Sequence, residues 1–103
     1  MGNPMKIRAA SKDGVTEVKA LISHEMETGQ RKDANGAVVP AWFITELSAK
    51  LGDKVVLAAE FGPSVSKNPY LAFKFKGGAK GDKIVVSWKD NKGDTRTDEA
   101  VIN

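Results

Sequence analysis

The stretch Tyr70-Leu-Ala-Phe-Lys-Phe-Lys76, followed a few residues later by Asp82-Lys-Ile-Val-Val-Ser-Trp-Lys89, largely alternates apolar and polar residues with a period of two. In an extended chain this spacing places every second side chain on one face, so that Leu71, Phe73 and Phe75 lie together. A helix would need apolar residues three or four positions apart, and that spacing fits both segments poorly. The stretch therefore predicts two β-strands, at 70–76 and 82–89, joined by a glycine-containing turn.

The same alternation continues on both sides of this stretch. It predicts five further strands, at about 5–10, 15–23, 42–49, 54–61 and 95–102. Turn residues separate them, as in Ser11-Lys-Asp-Gly14 and in Asp90-Asn-Lys-Gly-Asp94. Residues 18–30 also admit a helix, but the alternation at their start fits a strand better, and Gly29 ends the segment.

Seven short strands without crossover helices are typical of a β-sandwich. We therefore expect an all-β chain, a seven-stranded antiparallel sandwich of the immunoglobulin or fibronectin type III kind, with a small closed barrel as the alternative. The length of 103 residues, of which 41% are hydrophobic and 28% charged, fits a single domain over residues 1–103. Because the chain has no cysteine, Trp42 or Trp88 would pack in the core without the disulfide of antibody domains.

The net charge of +3 at pH 7 is too small to imply a nucleic-acid partner by itself. The excess is local, because residues 67–83 contain five lysines and one aspartate. The longest apolar run, Val55-Val-Leu-Ala-Ala59, is far shorter than the roughly 20 residues of a membrane span. The first residues contain no apolar stretch that would serve as a secretory signal. The sequence therefore predicts no contact with a membrane and no signal of its own.

Reactive side chains are scarce in this sequence. Its single histidine, His24, stands beside Glu25 and Glu27, which is a poor ligand set for zinc or copper. The serines would all need this histidine as their base, and no Gly-x-Ser-x-Gly elbow is present. The segment Gly77-Gly-Ala-Lys-Gly-Asp82 lacks the ending of a phosphate-binding loop. We expect a chain that is not an enzyme and has no catalytic residue, metal or cofactor, with His24 hydrogen-bonded to the loop that follows it.

Aromatic and basic residues are interleaved at one place. Phe73 and Phe75 alternate with Lys74 and Lys76, which resembles the stacking strands of single-strand nucleic-acid binders. Strand alternation explains the same pattern as an apolar face toward the core and a charged face toward water. We favour the core strand and expect no nucleic-acid partner. A stand-alone β-sandwich that binds protein or nucleic acid is the alternative function.

Two of the predicted connections are unusual. Residues 24–41 are far longer than a hairpin turn, and residues 62–69 contain two prolines. If successive strands reverse direction, these two connections share one end of the sandwich with residues 90–94. Loops on a rigid scaffold commonly carry binding, so this end is predicted to be a partner interface. Its candidate residues are His24, Glu25, Met26, Arg31, Lys32, Pro63, Ser64, Ser66, Lys67 and Asn68. The alternative is that these loops pack on each other and brace the sandwich.

Several of these segments resemble a known family. The runs Ser23-His-Glu-Met-Glu-Thr-Gly-Gln-Arg-Lys-Asp33, Gly62-Pro-Ser-Val-Ser-Lys-Asn-Pro69 and Phe73-Lys-Phe-Lys-Gly-Gly78 are similar to SoxZ, the Z subunit of the sulfur-oxidation carrier. So are Pro40-Ala-Trp42 and the ending from Gly81 to Glu99. The similarity runs from about residue 5 to the C-terminus.

This resemblance implies an immunoglobulin-like subunit that pairs with a Y subunit to form the SoxYZ carrier. In that family the Y subunit bears the cysteine on which sulfur from thiosulfate is held, while separate enzymes oxidise and hydrolyse it. A chain without cysteine fits the non-catalytic Z role. The resemblance also implies a periplasmic location, with export alongside a signal-bearing Y subunit. The expected partners are the Y subunit and the enzymes that act on its sulfur.

Overall fold

All regular structure is β-strand in the computed structural model, which describes residues 3–62 and 65–103. The strands are β1 (Lys6–Lys12), β2 (Val15–Leu21), β3 (Ile44–Leu51), β4 (Lys54–Glu60), β5 (Tyr70–Lys76), β6 (Lys83–Asp90) and β7 (Thr95–Val101). Each strand predicted from the sequence is present, with its ends within two residues of the predicted ones. The helix considered for residues 18–30 does not form.

The strands form two antiparallel sheets. One contains three strands in the order β1-β2-β5, and the other contains four in the order β4-β3-β6-β7. Neighbouring strands pair antiparallel throughout, as consecutive reversal of the chain requires. Two separate sheets make this an immunoglobulin-like sandwich, so the predicted fold class is confirmed and the closed barrel is not formed.

Local turn chemistry sets the strand ends. Asp13 and Gly14 have φ values of 54° and 78°, which suits a tight two-residue hairpin, and β1 therefore extends to Lys12. The Ile22 amide donates to the Pro69 carbonyl at 2.9 Å, but Pro69 has no N–H with which to continue the ladder, so β2 ends at Leu21. The chain then leaves the sheet toward the 62–69 connection.

The core lies between the sheets, where alternate residues of the strands point inward. On β6 the inward residues Ile84, Val86 and Trp88 are almost fully buried, as the alternation predicted. On β5 the aromatic residues Phe73 and Phe75 pack against the core while Lys74 and Lys76 are exposed. The favoured interpretation of this segment as a core strand is therefore confirmed.

Two sides of the sandwich differ in how their edges are covered. The last residue, Asn103, exchanges backbone hydrogen bonds of 2.9 Å with Ala9 and Ser11, so the chain end covers the outer edge of β1. The edges of β4 and β5 have no neighbouring strand among the described residues.

The described residues also form no helix of the length and hydrophobicity that a membrane span requires.

Candidate functional site

The three connections predicted to share one end are joined there by hydrogen bonds. The backbone amide of His24 donates to Asn68 Oδ1 at 3.0 Å, and the Asn68 amide donates to the His24 carbonyl at 2.9 Å. His24 also reaches the 90–94 turn, because its Nε2 lies 3.1 Å from Asp90 Oδ2. Asn91 continues the link, since its side chain accepts from the Phe43 amide and donates to the Ala41 carbonyl, each at 2.8 Å.

A buried polar cluster lies at the centre of this end. Its members are the carboxylate of Asp90, the imidazole of His24 and the indole of Trp42, whose Nε1–H donates to Asp90 Oδ2 at 2.8 Å. Asp90 Oδ1 accepts two further bonds, from the amides of Lys92 at 3.0 Å and Asp94 at 2.9 Å. Four donors therefore satisfy a carboxylate that is only 2% exposed.

These hydrogen bonds decide the charge of Asp90. Burial opposes ionisation and raises the pKa of the carboxyl. The bonds from His24, Trp42 and the two backbone amides outweigh that cost and hold its pKa below the ordinary value. Asp90 is therefore a carboxylate near neutral pH, and it accepts from every donor directed at it.

Both nitrogens of His24 are engaged. Nδ1 accepts from the Met26 amide at 3.1 Å, so the proton of the neutral ring lies on Nε2 and points at Asp90. The ring sits edge-on between Trp42 and Trp88, with centroid distances of 5.1 Å to each. The expectation that His24 hydrogen-bonds the loop that follows it is confirmed. With both nitrogens used and its side chain buried, the ring is placed to brace the loop.

The long connection itself folds back as a projecting hairpin, here named the arm (residues 27–42). Its base is closed by paired bonds between Glu27 and Trp42, and the Val39 amide donates to the Arg31 carbonyl at 2.7 Å. The residues from 30 to 38 are all exposed. A seven-residue strand spans only about 24 Å, whereas the molecule measures 54 × 20 × 19 Å. The arm therefore projects from the sandwich as a hairpin closed by backbone hydrogen bonds.

An exposed ion pair reinforces the arm. Arg31 contacts Glu27 through Nε and Nη2, with its shortest nitrogen–oxygen distance at 2.7 Å. The hydrogen bond from Arg31 lowers the pKa of Glu27. At the tip, Asp33 Oδ1 accepts from the amides of Asn35 at 2.8 Å and Ala37 at 3.1 Å. Lys32 has no carboxylate within ion-pair distance among the described residues.

The structure sorts the predicted interface residues into two groups. His24 and Met26 are buried, with exposures of 6% and 5%, so they hold the loops in place. The exposed ones are Glu25, Arg31, Lys32, Ser66, Lys67 and Asn68, among which Lys67 pairs with Glu25 at 3.2 Å. Pro63 and Ser64 lie outside the described residues. Sequence reasoning missed Asp90 and Asn91, which it treated only as turn residues.

The wider concave surfaces offer little reactive chemistry. Beside the buried cluster is a pocket of about 250 Å³ lined by Asn3, Ser23, His24, Glu25, Trp42, Asn68, Trp88 and Asp94. A larger, shallow groove of about 750 Å³ lies on the outer face of the four-stranded sheet. Its floor is a row of short side chains across the sheet, Ala58, Ser48, Ser87 and Thr97. No histidine lines the groove, and the described residues contain no group of three metal-ligating side chains.

The fold is similar to that of known protein structures. Eight chains among the solved structures match, and one is a variant of superoxide reductase (neelaredoxin) from Archaeoglobus fulgidus in the reduced form. It shares 21% identity over 94% of this chain and 85% of that chain, with a TM-score of 0.56. At this identity the likeness concerns the fold alone. No curated protein sequence matches the chain.

A family model gives the more specific result. The model described as sulphur oxidation protein SoxZ matches residues 5–101, which is nearly the whole chain. The matched range includes the arm, the buried cluster and all seven strands. This chain therefore belongs to the SoxZ family of sulphur oxidation proteins.

Proposed function

We propose that this chain is the non-catalytic subunit of a sulfur-oxidation carrier and pairs with a Y subunit whose cysteine holds the sulfur intermediates. The observation that carries the proposal is the SoxZ family match over residues 5–101. In this role the chain stabilises the Y subunit and helps to present the bound sulfur to the enzymes that process it. The carrier works in the periplasm, to which the chain is exported together with the Y subunit.

The chemistry of the chain supports a non-catalytic role. The sequence contains no cysteine, so it offers no thiolate to carry sulfur. The single histidine is enclosed by two tryptophans and bonded through both ring nitrogens, so its proton is directed at Asp90. A buried ring with both nitrogens engaged is poorly placed to act as a general base. Catalysis in the carrier cycle then falls to other proteins.

The end that carries the arm is the proposed contact surface for the Y subunit or the enzymes that visit it. Its exposed residues sit on loops that are cross-linked by the hydrogen bonds of Asp90, Asn68 and Asn91. Loops that are ordered before binding lose less conformational entropy when a partner docks. The bracing contacts and a docking role are therefore compatible, because the buried residues fix the exposed ones.

Pairing is tested by mixing this chain with a Y subunit at equal concentration. Light scattering is expected to show a one-to-one heterodimer at micromolar concentration. After treatment with thiosulfate and the oxidising enzymes, intact mass is expected to rise on the Y chain and to stay constant on this chain. Two unassociated monomers would refute the pairing. A stable mass increase on this chain would refute the non-catalytic role, independently of pairing.

Charge reversal on the arm tests whether this end is the working surface. We expect Arg31→Glu combined with Lys32→Glu to leave the sandwich folded, because both side chains are exposed, although the variant removes the ion pair of the arm. The thiosulfate oxidation rate with Y subunit and enzymes should fall roughly 10-fold, because two cations that face the partner become anions. The control exchanges the pair, Glu27→Arg with Arg31→Glu, which preserves the ion pair of the arm. A folded double reversal with the full rate would show that this end is not the working surface.

A further inference from the structure

The outer face of the three-stranded sheet is strongly basic. Four rows of residues cross β1, β2 and β5 with their side chains pointing outward, and we name them the basic face. Its charged members are six cations and one carboxylate: Lys6, Arg8, Lys12, Lys19, Lys74, Lys76 and Glu17. Six positive charges and one negative charge give this face a net charge of +5, whereas the net charge of the whole chain is only +3.

The cations of this face are mostly left without counter-charges. Glu17 lies 3.6 Å from Lys19 and 3.7 Å from Lys74, so one carboxylate is shared by two lysines. The other four cations, Lys6, Arg8, Lys12 and Lys76, have no carboxylate within 4 Å in the described parts of the chain. In contrast, the exposed charges of the four-stranded sheet are nearly balanced: Lys50, Lys54, Lys83, Lys89, Glu46, Glu60 and Glu99.

The register of the strands makes this arrangement unfavourable for folding. Arg8 on β1 lies directly opposite Lys19 on β2. Like charges directly opposite each other on paired strands destabilise the pair, so stability does not account for them. Departures of this kind from local rules are expected where a surface serves a function.

We propose that the basic face docks a protein of the sulfur-oxidation system through an acidic surface, and that the contact is short-lived. Charge complementarity favours the acidic partner, because five positive charges remain after Glu17 is counted. The face is too polar for a permanent interface, since only Leu21 and Tyr70 are large exposed apolar residues on it. Long-range attraction gives fast, salt-sensitive association, which suits a component that meets several enzymes in turn.

Two other polyanions fit the face less well. Single-stranded nucleic acid is bound by several aromatic side chains on which bases stack. Phe73 and Phe75 of β5 point into the sandwich, which leaves Tyr70 as the one aromatic side chain on the basic face. An anionic lipid surface would favour apolar side chains that insert beside the cations, and here these are confined to one row. The proposal rests on the proposed function only in taking the partner from the sulfur-oxidation system.

The absence of cysteine provides a direct probe of this face. Ala72→Cys places one fluorescent label on the basic face, midway along β5, and Ala58→Cys places one on β4 as the control; both residues are exposed on edge strands. This chain is labelled at either position before it is mixed with the Y subunit, and purified sulfur-oxidation proteins are then added one at a time. At least one is expected to change the emission at position 72 and to bind at least about 10-fold more weakly when salt is raised to screen the charges.

Matched charge reversals identify the residues responsible. Arg8→Glu with Lys12→Glu is expected to weaken this binding about 10-fold. Lys50→Glu with Lys54→Glu changes the net charge equally on the other sheet and is expected to change binding less than about twofold. Arg8→Glu also removes the like-charge pair with Lys19, so the test variant is expected to fold at least as stably as the native chain.

Three results would overturn the proposal: no protein of the system affects the label at position 72, both double reversals weaken binding equally, or a short DNA duplex or anionic vesicles bind at least as tightly. Formation of the heterodimer is measured separately on the same samples. If the Y subunit fails to bind while another sulfur-oxidation protein docks here, the proposed carrier role falls and the basic face stands. If the heterodimer forms and nothing docks on this face, the reverse holds.

Discussion

Replacing Asp90 by asparagine is expected to lower the free energy of unfolding by roughly 3 kcal/mol, the largest loss we expect from an isosteric change at the arm end. The carboxylate accepts from two ring N–H groups on one oxygen and from two backbone amides on the other. An amide has one acceptor oxygen, so its NH₂ group must face two donors in either orientation. Two donors, each buried or partly buried, are then left without an acceptor.

A second aspartate in the chain provides a close control. Asp33 also accepts from the amides two and four residues later, but it is exposed and no ring bonds to it. Asp33→Asn keeps the acceptor oxygen, and we expect a change within about 0.5 kcal/mol. Urea titration of the two variants makes the comparison. Equal losses in both would show that the buried cluster does not brace the arm end.

The same carboxylate predicts how stability depends on pH. The pKa of Asp90 is lower in the folded chain than its ordinary value of 3.8, so folding favours the ionised form. Its contribution is therefore complete above about pH 4 and is lost as pH falls through the lower folded value. Asp98 behaves alike, because hydrogen bonds from Arg96 lower the pKa of its carboxyl. In Asp90→Asn the acid-induced loss should be smaller than in the native chain, since one of the carboxyls whose pKa is lowered by folding is gone.

Local periodicity predicted the strands and their inward faces because those signals lie within a few residues. The shared end of the three connections also followed from the sequence, since strand reversal alone decides it. Asp90 could not be identified in this way: its partners His24 and Trp42 are distant in the chain, and Asp-Asn at a hairpin is an ordinary turn signal. A lone histidine between predicted strands was the only indication that a buried acceptor was needed.

The basic face shows a second limit of sequence reasoning. The charge excess was assigned to residues 67–83, yet Lys67 and Lys83 pair with glutamates, and only Lys74 and Lys76 of that segment lie on the face. The other four cations come from β1 and β2, where between one and six other residues separate each from the next. These cations lie on one face only because β1, β2 and β5 are neighbours in the sheet. A count of charges along the chain does not show which strands are neighbours.

Gly78→Ala is expected to destabilise the chain by about 3 kcal/mol, at the end opposite to the arm. Gly78 has a φ of +79°, and an added Cβ would lie 2.5 Å from Thr16 Oγ1 and 3.2 Å from Ile102 Cδ1. Thr16 is fully buried and donates to the Gly77 carbonyl at 2.7 Å. Moving its hydroxyl aside would break that bond in a buried place, which adds the cost of a lost hydrogen bond to the backbone strain.

Gly14→Ala separates these two costs, because Gly14 has nearly the same φ of +78° and open space around the added Cβ. It should lose only the strain of the left-handed conformation, about 1 kcal/mol. A gap of about 2 kcal/mol between the variants in urea titration would therefore measure the contact with Thr16 and Ile102. Equal losses would show that the contact costs nothing.

Because this end lies away from the arm, folded Gly78→Ala should bind the Y subunit as the native chain does, whereas Asp90→Asn should bind it more weakly. Equal binding by both variants would mean that the braced arm end makes no contact with that partner.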